Sequence, residues 1–335
     1  MIRVMTIEDV RQLLKKVTLE RFFLRLIEQL KSDFARWPEF RKSPRHAIQS
    51  SDGIIELMPT ADKEYYSFKY VNGHPNNTQH NKLTVVAVGQ LSSVKTGYPL
   101  LLSEMTVLTA LRTAATSALA SQFLAPKGAQ KLGIIGTGAQ SEFQVLAHHY
   151  GLGIREVFYF DVDAKAMLKF AKNLEPYRLK LHPCKEGRSV LDQCDLITTA
   201  TARPGRQKVL EADWVKPGMH INKIGGDSPG KTELDPRLVE KCKIVVELTE
   251  QTRHEGEIQQ VDVPLYAELW ELAAGKKKGR ESPTEITLFD SVGFALEDYS
   301  VLRLVHELAT DHHLGHKLDL IPDMVDPKNL FGVIA

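Results

Sequence analysis

The chain has 335 residues, 43% of them hydrophobic and 25% charged, and a formal net charge of +1. That balance fits a soluble globular protein of one or two domains, and it offers no cationic surface for nucleic acid or for an anionic membrane. No apolar run reaches the roughly 18 residues of a membrane span, Arg3, Glu8, Asp9 and Arg11 interrupt any signal-peptide pattern, and Cys184, Cys194 and Cys242 lack C-x-x-C spacing, so reduced thiols in a cytoplasmic protein are expected.

Thr6-Ile-Glu-Asp9 has the form of a capping box opening a first short helix. From 18 to about 37, Phe22, Phe23, Leu26, Ile27, Leu30 and Phe34 recur at helical spacing, and Pro38 ends the run. Between 44 and 104 the texture changes to strands, at 45–49, 54–58, 65–71, 83–88 and 100–103, with Asp52-Gly53 marking a hairpin. This half reads as antiparallel or mixed. A helix rich in small residues follows over 106–123.

From Leu132 onward strands and helices alternate, with strands at 132–135, 157–161, 179–182, 196–200, 220–224, 244–248 and 286–289. Such alternation predicts an α/β fold with a Rossmann-type, doubly wound parallel sheet. The expected division is 1–113 as an α+β substrate-binding and dimerisation domain, with a C-terminal return at about 313–335, and 114–312 as the dinucleotide-binding domain. Lys276-Lys-Lys-Gly-Arg280 reads as a solvated loop, and 294–312 as a final helix.

The most informative stretch is Lys131-Leu-Gly-Ile-Ile-Gly136-Thr-Gly138-Ala-Gln-Ser141, which ends a short strand in a glycine turn and opens a helix. Strand, Gly-x-Gly-x-x and helix in that order form a dinucleotide fingerprint. Gly136 permits the tight turn, Gly138 admits a pyrophosphate close to backbone, and the helix N-terminus faces the phosphates. Ser141 stands where a third glycine is usual. Asp161, 25 positions after Gly136 at the end of the next strand, can accept from a ribose 2′-OH and would repel a 2′-phosphate, which favours NAD over NADP.

Three segments fall at the carboxyl ends of strands, where ligands of such sheets bind: Thr198-Thr-Ala-Thr201, Gly225-Gly-Asp227 and Ser291-Val-Gly293. The second continues as Gly225-Gly-Asp-Ser-Pro-Gly-Lys231-Thr232 and matches the P-loop pattern. A P-loop reading is disfavoured by the Asp227 carboxylate among the phosphates and by Pro229, which removes a donor. Asp227 then reads either as an acid or base facing a cofactor cleft or as the cap of a following helix. Arg45, Glu56 and Lys69 lie among the first strands, either on a solvated face or facing a cleft, where the two cations would hold a carboxylate. Arg112 lies on the apolar side of its helix, where it either snorkels or meets a carboxylate or phosphate. His312-His-Leu-Gly-His316 lacks an acidic third ligand and reads as surface, and His148-His149 as structural; no metal is expected.

Four segments together resemble the ornithine cyclodeaminase/mu-crystallin family: Phe68-Lys-Tyr-Val-Asn-Gly-His-Pro75, Ile135-Gly-Thr-Gly-Ala-Gln-Ser141, Gly225-Gly-Asp-Ser-Pro-Gly-Lys-Thr-Glu-Leu234 and Gln251-Thr-Arg-His-Glu-Gly-Glu-Ile-Gln-Gln260. The resemblance covers nearly the whole chain, looks nearest to the bacterial cyclodeaminase branch, and accommodates Ser141. It implies that Arg45, Lys69 and Arg112 bind the α-carboxylate of the substrate, that Glu56 holds its distal amine, that Val292 lines its pocket and that Asp227 is the catalytic acid/base. It implies cofactor contacts at Thr84, Arg112, Gly136, Gly138, Ala139, Gln140, Asp161, Thr201, Ile221, Asn222, Lys223, Ile224, Lys231 and Ser291. The implied activity is NAD-dependent conversion of L-ornithine, or a related basic amino acid, to L-proline and ammonia by a homodimer. The alternatives within the family are an amino-acid dehydrogenase or ketimine reductase, a lysine cyclodeaminase, a carbon–nitrogen-bond-forming synthase, and a non-catalytic mu-crystallin-like binding protein.

Overall fold

The computed structural model describes residues 1–201 and 205–335. Strand β1 (Ile2–Met5) leads into helices α1 (Ile7–Val17) and α2 (Leu19–Ala35). Thr6 caps α1 reciprocally: the Asp9 N–H donates to its hydroxyl (3.3 Å), and its own N–H donates to the Asp9 carboxylate (2.9 Å). The apolar stripe expected of α2 is buried from Phe22 to Phe34.

Six further strands follow: β2 (Arg41–Lys42), β3 (His46–Gln49), β4 (Ile54–Ala61), β5 (Tyr65–Gly73), β6 (Val85–Ser93) and β7 (Pro99–Glu104). They form a mixed sheet in the order β1-β7-β6-β5-β4-β2, with β3 also on β4. The pleat sorts its two faces. Leu57, Tyr70 and Val88 sit abreast on one face, and Met58, Lys69 and Gly89 on the other. The second face is covered; a Cβ on Gly89 would lie 2.7 Å from Met105.

Helix α3 (Thr106–Leu124) is buried on nearly every side, which its small residues permit. The second sheet begins with β8 (Lys131–Ile135), α4 (Ser141–Leu152), β9 (Glu156–Phe160), α5 (Ala164–Leu174), β10 (Lys180–Pro183), α6 (Gly187–Leu191) and β11 (Leu196–Thr199). It continues through β12 (Arg206–Leu210), β13 (His220–Lys223), β14 (Thr232–Leu234), α7 (Pro236–Val239), β15 (Lys243–Val246), α8 (Thr249–Glu255), β16 (Ala267–Glu268), α9 (Leu269–Ala273) and β17 (Thr287–Asp290). Eight of these strands are parallel in the order β10-β9-β8-β11-β13-β17-β15-β16, while β12 and β14 pair apart as a two-stranded sheet. The strand order reverses between β8 and β11, the crevice where ligands of such sheets bind.

Helix α10 (Ala295–Asp311) leaves this sheet and packs across β4, β5, β6 and β7, and β18 (His316–Leu318) then pairs antiparallel with β1. One apolar cluster includes Phe22 of α2, Leu119 of α3, Leu132 of β8 and Leu302 of α10, so elements of both sheets share a core. The lysine-rich segment departs from expectation at one residue. Arg280 is not solvated: it donates to the carbonyls of Leu124, Met219 and Glu285 and ties α3 to β13. No described helix is long and apolar enough to cross a membrane.

Candidate active site

The glycine turn is built as the sequence anticipates. Gly136 adopts φ +95°, and a Cβ there would lie 2.6 Å from the Ala200 carbonyl. Gly138 faces open space, with no atom within 4 Å of an added Cβ. Ala139 and Gln140 enter α4, and no side chain caps its first turn. Free N–H groups and the positive helix end are therefore turned toward the space beside Gly138. Asp161 closes the turn, accepting from Thr137 N–H (2.6 Å) and Asp163 N–H (2.9 Å). These features fit a pyrophosphate and its adjoining ribose. Thr84 precedes β6, and its carbonyl accepts from His74 N–H (2.8 Å).

The other cofactor candidates are held by buried acids that the sequence did not single out. Glu233, on β14, accepts from the Thr199 hydroxyl (2.9 Å), Thr201 N–H (2.7 Å), the Thr201 hydroxyl (2.5 Å) and Gly225 N–H (2.8 Å). Glu247, after β15, accepts from the Ser291 hydroxyl (2.5 Å) and Gly293 N–H (3.1 Å). Burial and the neighbouring Glu297 push the Glu247 carboxyl above its ordinary range. Ile221, Asn222 and Lys223 are fully buried in β13. The Asn222 amide donates to Ser121 (2.8 Å) beside His148, and Ile224 N–H donates to the Thr199 carbonyl (3.1 Å). Lys223 ion-pairs with Asp290 (2.9 Å), with Glu257 at 3.9 Å, and donates to the Gly226 carbonyl. Lys223 thus anchors the 225–227 turn from below.

The side chains of Arg45, Glu56, Lys69 and Arg112 are all buried, so neither the solvated-face reading nor the snorkelling reading holds. Lys69 Nζ lies 2.9 Å from Asp298, and burial together with the nearby Arg112 cation lowers its pKa to about 8. Arg112 Nη1 bonds Glu297 (2.5 Å) and its Nε lies 3.0 Å from Asp298. Burial works against the Arg112 cation, but these two acids outweigh it and raise its pKa. The guanidinium packs on Gly293, where a Cβ would approach to 2.6 Å. Arg45 places Nη1 3.2 Å from both oxygens of Glu56 and donates through Nη2 to the carbonyls of Val292 (2.7 Å) and Gly293 (2.8 Å). Its Nε lies 3.3 Å from Glu255.

Arg45, from before β3, and Arg112 of α3 thus meet the loop after β17, while Lys69 of β5 meets α10. The acids that hold Lys69 and Arg112, Glu297 and Asp298, sit in the first turn of α10. In sequence they look like ordinary N-terminal helix acids; only the packing of α10 reveals their partners.

Asp227 follows β13. Its side chain is 53% exposed and its carboxylate lies 3.1 Å from Lys231 Nζ. Crowding by protein raises its pKa, but Lys231, then Arg45 and Lys223, more than offset this and the net shift is downward. The group is therefore ionised at neutral pH. Two alternatives fail here. Thr232 begins a strand, so the Gly225–Thr232 stretch has neither the helix of a P-loop nor a helix for Asp227 to cap. Among the described residues no group of three or more His, Cys, Asp or Glu has a metal-binding arrangement.

The model of the ornithine cyclodeaminase/mu-crystallin family matches residues 7–313. An ornithine cyclodeaminase of Agrobacterium fabrum is 46% identical over 331 residues, 98% of this chain and 93% of that protein. Among solved structures, an archaeal alanine dehydrogenase dimer with bound NAD superposes with a TM-score of 0.87 at 34% identity, covering 96% of this chain and 99% of that one. A lysine cyclodeaminase studied for recognition of L-lysine, L-ornithine and L-2,4-diaminobutyric acid superposes with a TM-score of 0.88 at 29% identity, covering 97% and 98%. With the glycine turn, the buried cations and Asp227 arranged around one crevice, and with a match that runs nearly end to end, the chain belongs to the ornithine cyclodeaminase/mu-crystallin family.

Proposed function

We propose that the protein converts L-ornithine to L-proline and ammonia, with NAD as a catalytic hydride carrier. The observation that carries this reading is that Arg45 reaches the loop after β17 with Asp227 among its charged neighbours, while Arg45 and Arg112 in turn neighbour Lys69. The near full-length likeness to the Agrobacterium enzyme supports ornithine as the substrate.

NAD would be held by Gly136, Gly138, Ala139 and Gln140 at its phosphates and by Asp161 at its ribose, with Thr201, Lys231 and Ser291 lining the crevice. The chemistry it supplies when bound is reversible hydride transfer at the substrate Cα. Lys69 and Arg112 fix the α-carboxylate, and Arg45 holds the 292–293 loop against that site. Such fixation orients Cα, an effect that can supply several kcal/mol of a barrier. Asp227, ionised beside Lys231, takes a proton from the α-amine and returns it as ammonia departs. The distal amine attacks C2 to close the ring.

In this reading residues 1–113, with the return at about 313–335, bind substrate and dimerise, and 114–312 bind the cofactor. The chain works as a cytoplasmic homodimer in proline synthesis. The exposed apolar row Leu57, Tyr70 and Val88 supports a dimer face on the first sheet.

The direct test is incubation with L-ornithine and NAD⁺, following proline, ammonia and NADH together. Stoichiometric proline and ammonia without lasting NADH is the expected result. Lasting NADH without proline would make the protein a dehydrogenase, the reading favoured by the likeness to alanine dehydrogenase. Turnover of L-lysine in place of ornithine would make it a lysine cyclodeaminase.

A further inference from the structure

Glu255 ends α8 and contributes a carboxylate to the site that no role so far accounts for. Its side chain is 14% exposed, and its Oε2 is buried without a hydrogen-bond partner. The Arg45 Nε lies 3.3 Å away, but no hydrogen bond joins the two. Asp290 Oδ1 and Asp298 Oδ2 share this state but lie 2.9 Å from Lys223 and Lys69, a closer cation than Glu255 has. Glu233 and Glu247 each accept several hydrogen bonds, and Glu56 faces Arg45 Nη1 with both oxygens. Glu255 is thus held by an ion pair without a hydrogen bond, and a buried acceptor in that state is completed when a ligand donates to it.

We propose that Glu255 binds the distal ammonium of the diamino acid and takes its proton, freeing the amine for ring closure. The inference rests on the cyclodeaminase reading above. It moves to Glu255 a role that the family resemblance would give to Glu56, because both oxygens of Glu56 already accept from Arg45, whereas Glu255 meets Arg45 without a hydrogen bond. The step balances. The distal ammonium gives one proton to Glu255, and the amine lone pair forms the new bond to C2. The C2 bond to the α-nitrogen breaks, and that nitrogen departs as ammonia. The proton on Glu255 passes to ammonia or solvent and restores the carboxylate.

Four charged groups face Glu255: Arg45 from before β3, Glu56 on β4, Asp227 after β13 and Lys223 on β13. Burial first, then the carboxylates of Glu56 and Asp227, raise its pKa to about 7 against the pull of Arg45 and Lys223. A base at that value is better matched to an alkylammonium than an ordinary carboxylate is, and it is still ionised in half the molecules near neutrality. The ionised form is the active one, so activity should rise with pH through about 7.

The test compares wild type, Glu255→Gln and Glu255→Asp in steady state and in a single turnover with L-ornithine and NAD⁺. Fluorescence titration of NAD binding serves as the check of folding. Glu255→Gln should lower the rate of proline formation about 100-fold. It should also accumulate NADH in the first turnover, because the first hydride transfer outruns ring closure, and it should lose the acid limb of the pH profile. Glu255→Asp should recover part of the rate, and should show the same NADH transient even if the glutamine variant does not fold. Wild-type rate and pH profile in Glu255→Gln would overturn the proposal. So would loss of the first-turnover NADH along with the rate, since Glu255 would then act only by holding Arg45. A wild-type enzyme that makes no proline from ornithine would instead overturn the cyclodeaminase reading, and the role of Glu255 with it.

Discussion

In the proposed reaction Asp227 is the residue on which the chemistry turns, and its surroundings separate that role from the cofactor turn's. Its carboxylate touches Lys231, while the glycine turn is closed by Asp161. Asp227→Asn should therefore abolish proline formation while leaving NAD affinity within a few-fold, as read by fluorescence titration. Asp298 is a different kind of acid. It faces both Lys69 and Arg112 with no exposed surface. A buried pair contributes little net stability, but removing one partner strands a charge. Asp298→Ala should lower unfolding stability by about 3–5 kcal/mol in denaturant titration. His148 tests the pH linkage. Burial lowers its pKa from 6.5 to about 4, so it is neutral in the fold and takes up a proton more readily when unfolded. Its contribution to stability is complete above about pH 6.5 and is lost as pH falls toward about 4. His148→Asn should flatten the dependence of Tm on pH across that window.

At the scale of elements, the unit that matters is β8, the glycine turn and α4. In the proposed reading the turn binds NAD because its backbone is open: Gly136 takes a left-handed φ, and Gly138 has no neighbour within 4 Å of an added Cβ. Gly136→Ala would both strain the backbone and press a methyl group on the Ala200 carbonyl. NAD affinity should fall at least tenfold, by about 1.4 kcal/mol or more, with the helical circular dichroism retained. This element was legible in the sequence because its signals are local: a strand, two glycines, a helix and an acid at a fixed distance. The capping box at Thr6 and the stripe of α2 were legible for the same reason. The stretch from Gly225 to Thr232 was legible only as chemistry. Its pattern also suits a P-loop, and whether a helix or a strand follows is decided by pairing with β12, about two dozen residues upstream.

Across the whole molecule, two sheets share α3, α10 and one apolar cluster, and the site lies where their elements meet. The outward face of the first sheet carries Leu57, Tyr70 and Val88 in register, each roughly 40% exposed. A row of that kind is costly in water and supports the proposed dimer face. Val88→Lys should convert the proposed dimer to monomer in light scattering; a wild-type protein already monomeric at micromolar concentration would refute that proposal. The sequence by itself determined the parallel sheet, the dinucleotide turn, the preference implied by Asp161 and the candidacy of Arg45, Lys69, Arg112 and Asp227. Those depend on short-range periodicity and spacing, or on motifs that travel intact. Only the tertiary structure decided that β17 inserts between β13 and β15, that Arg45 binds Glu56, and that Glu297 and Asp298 of α10 hold Arg112 and Lys69. The physical reason is that a buried charge is defined by its partner, and here the partners lie between 11 and 229 residues apart, brought together by packing that no local pattern encodes.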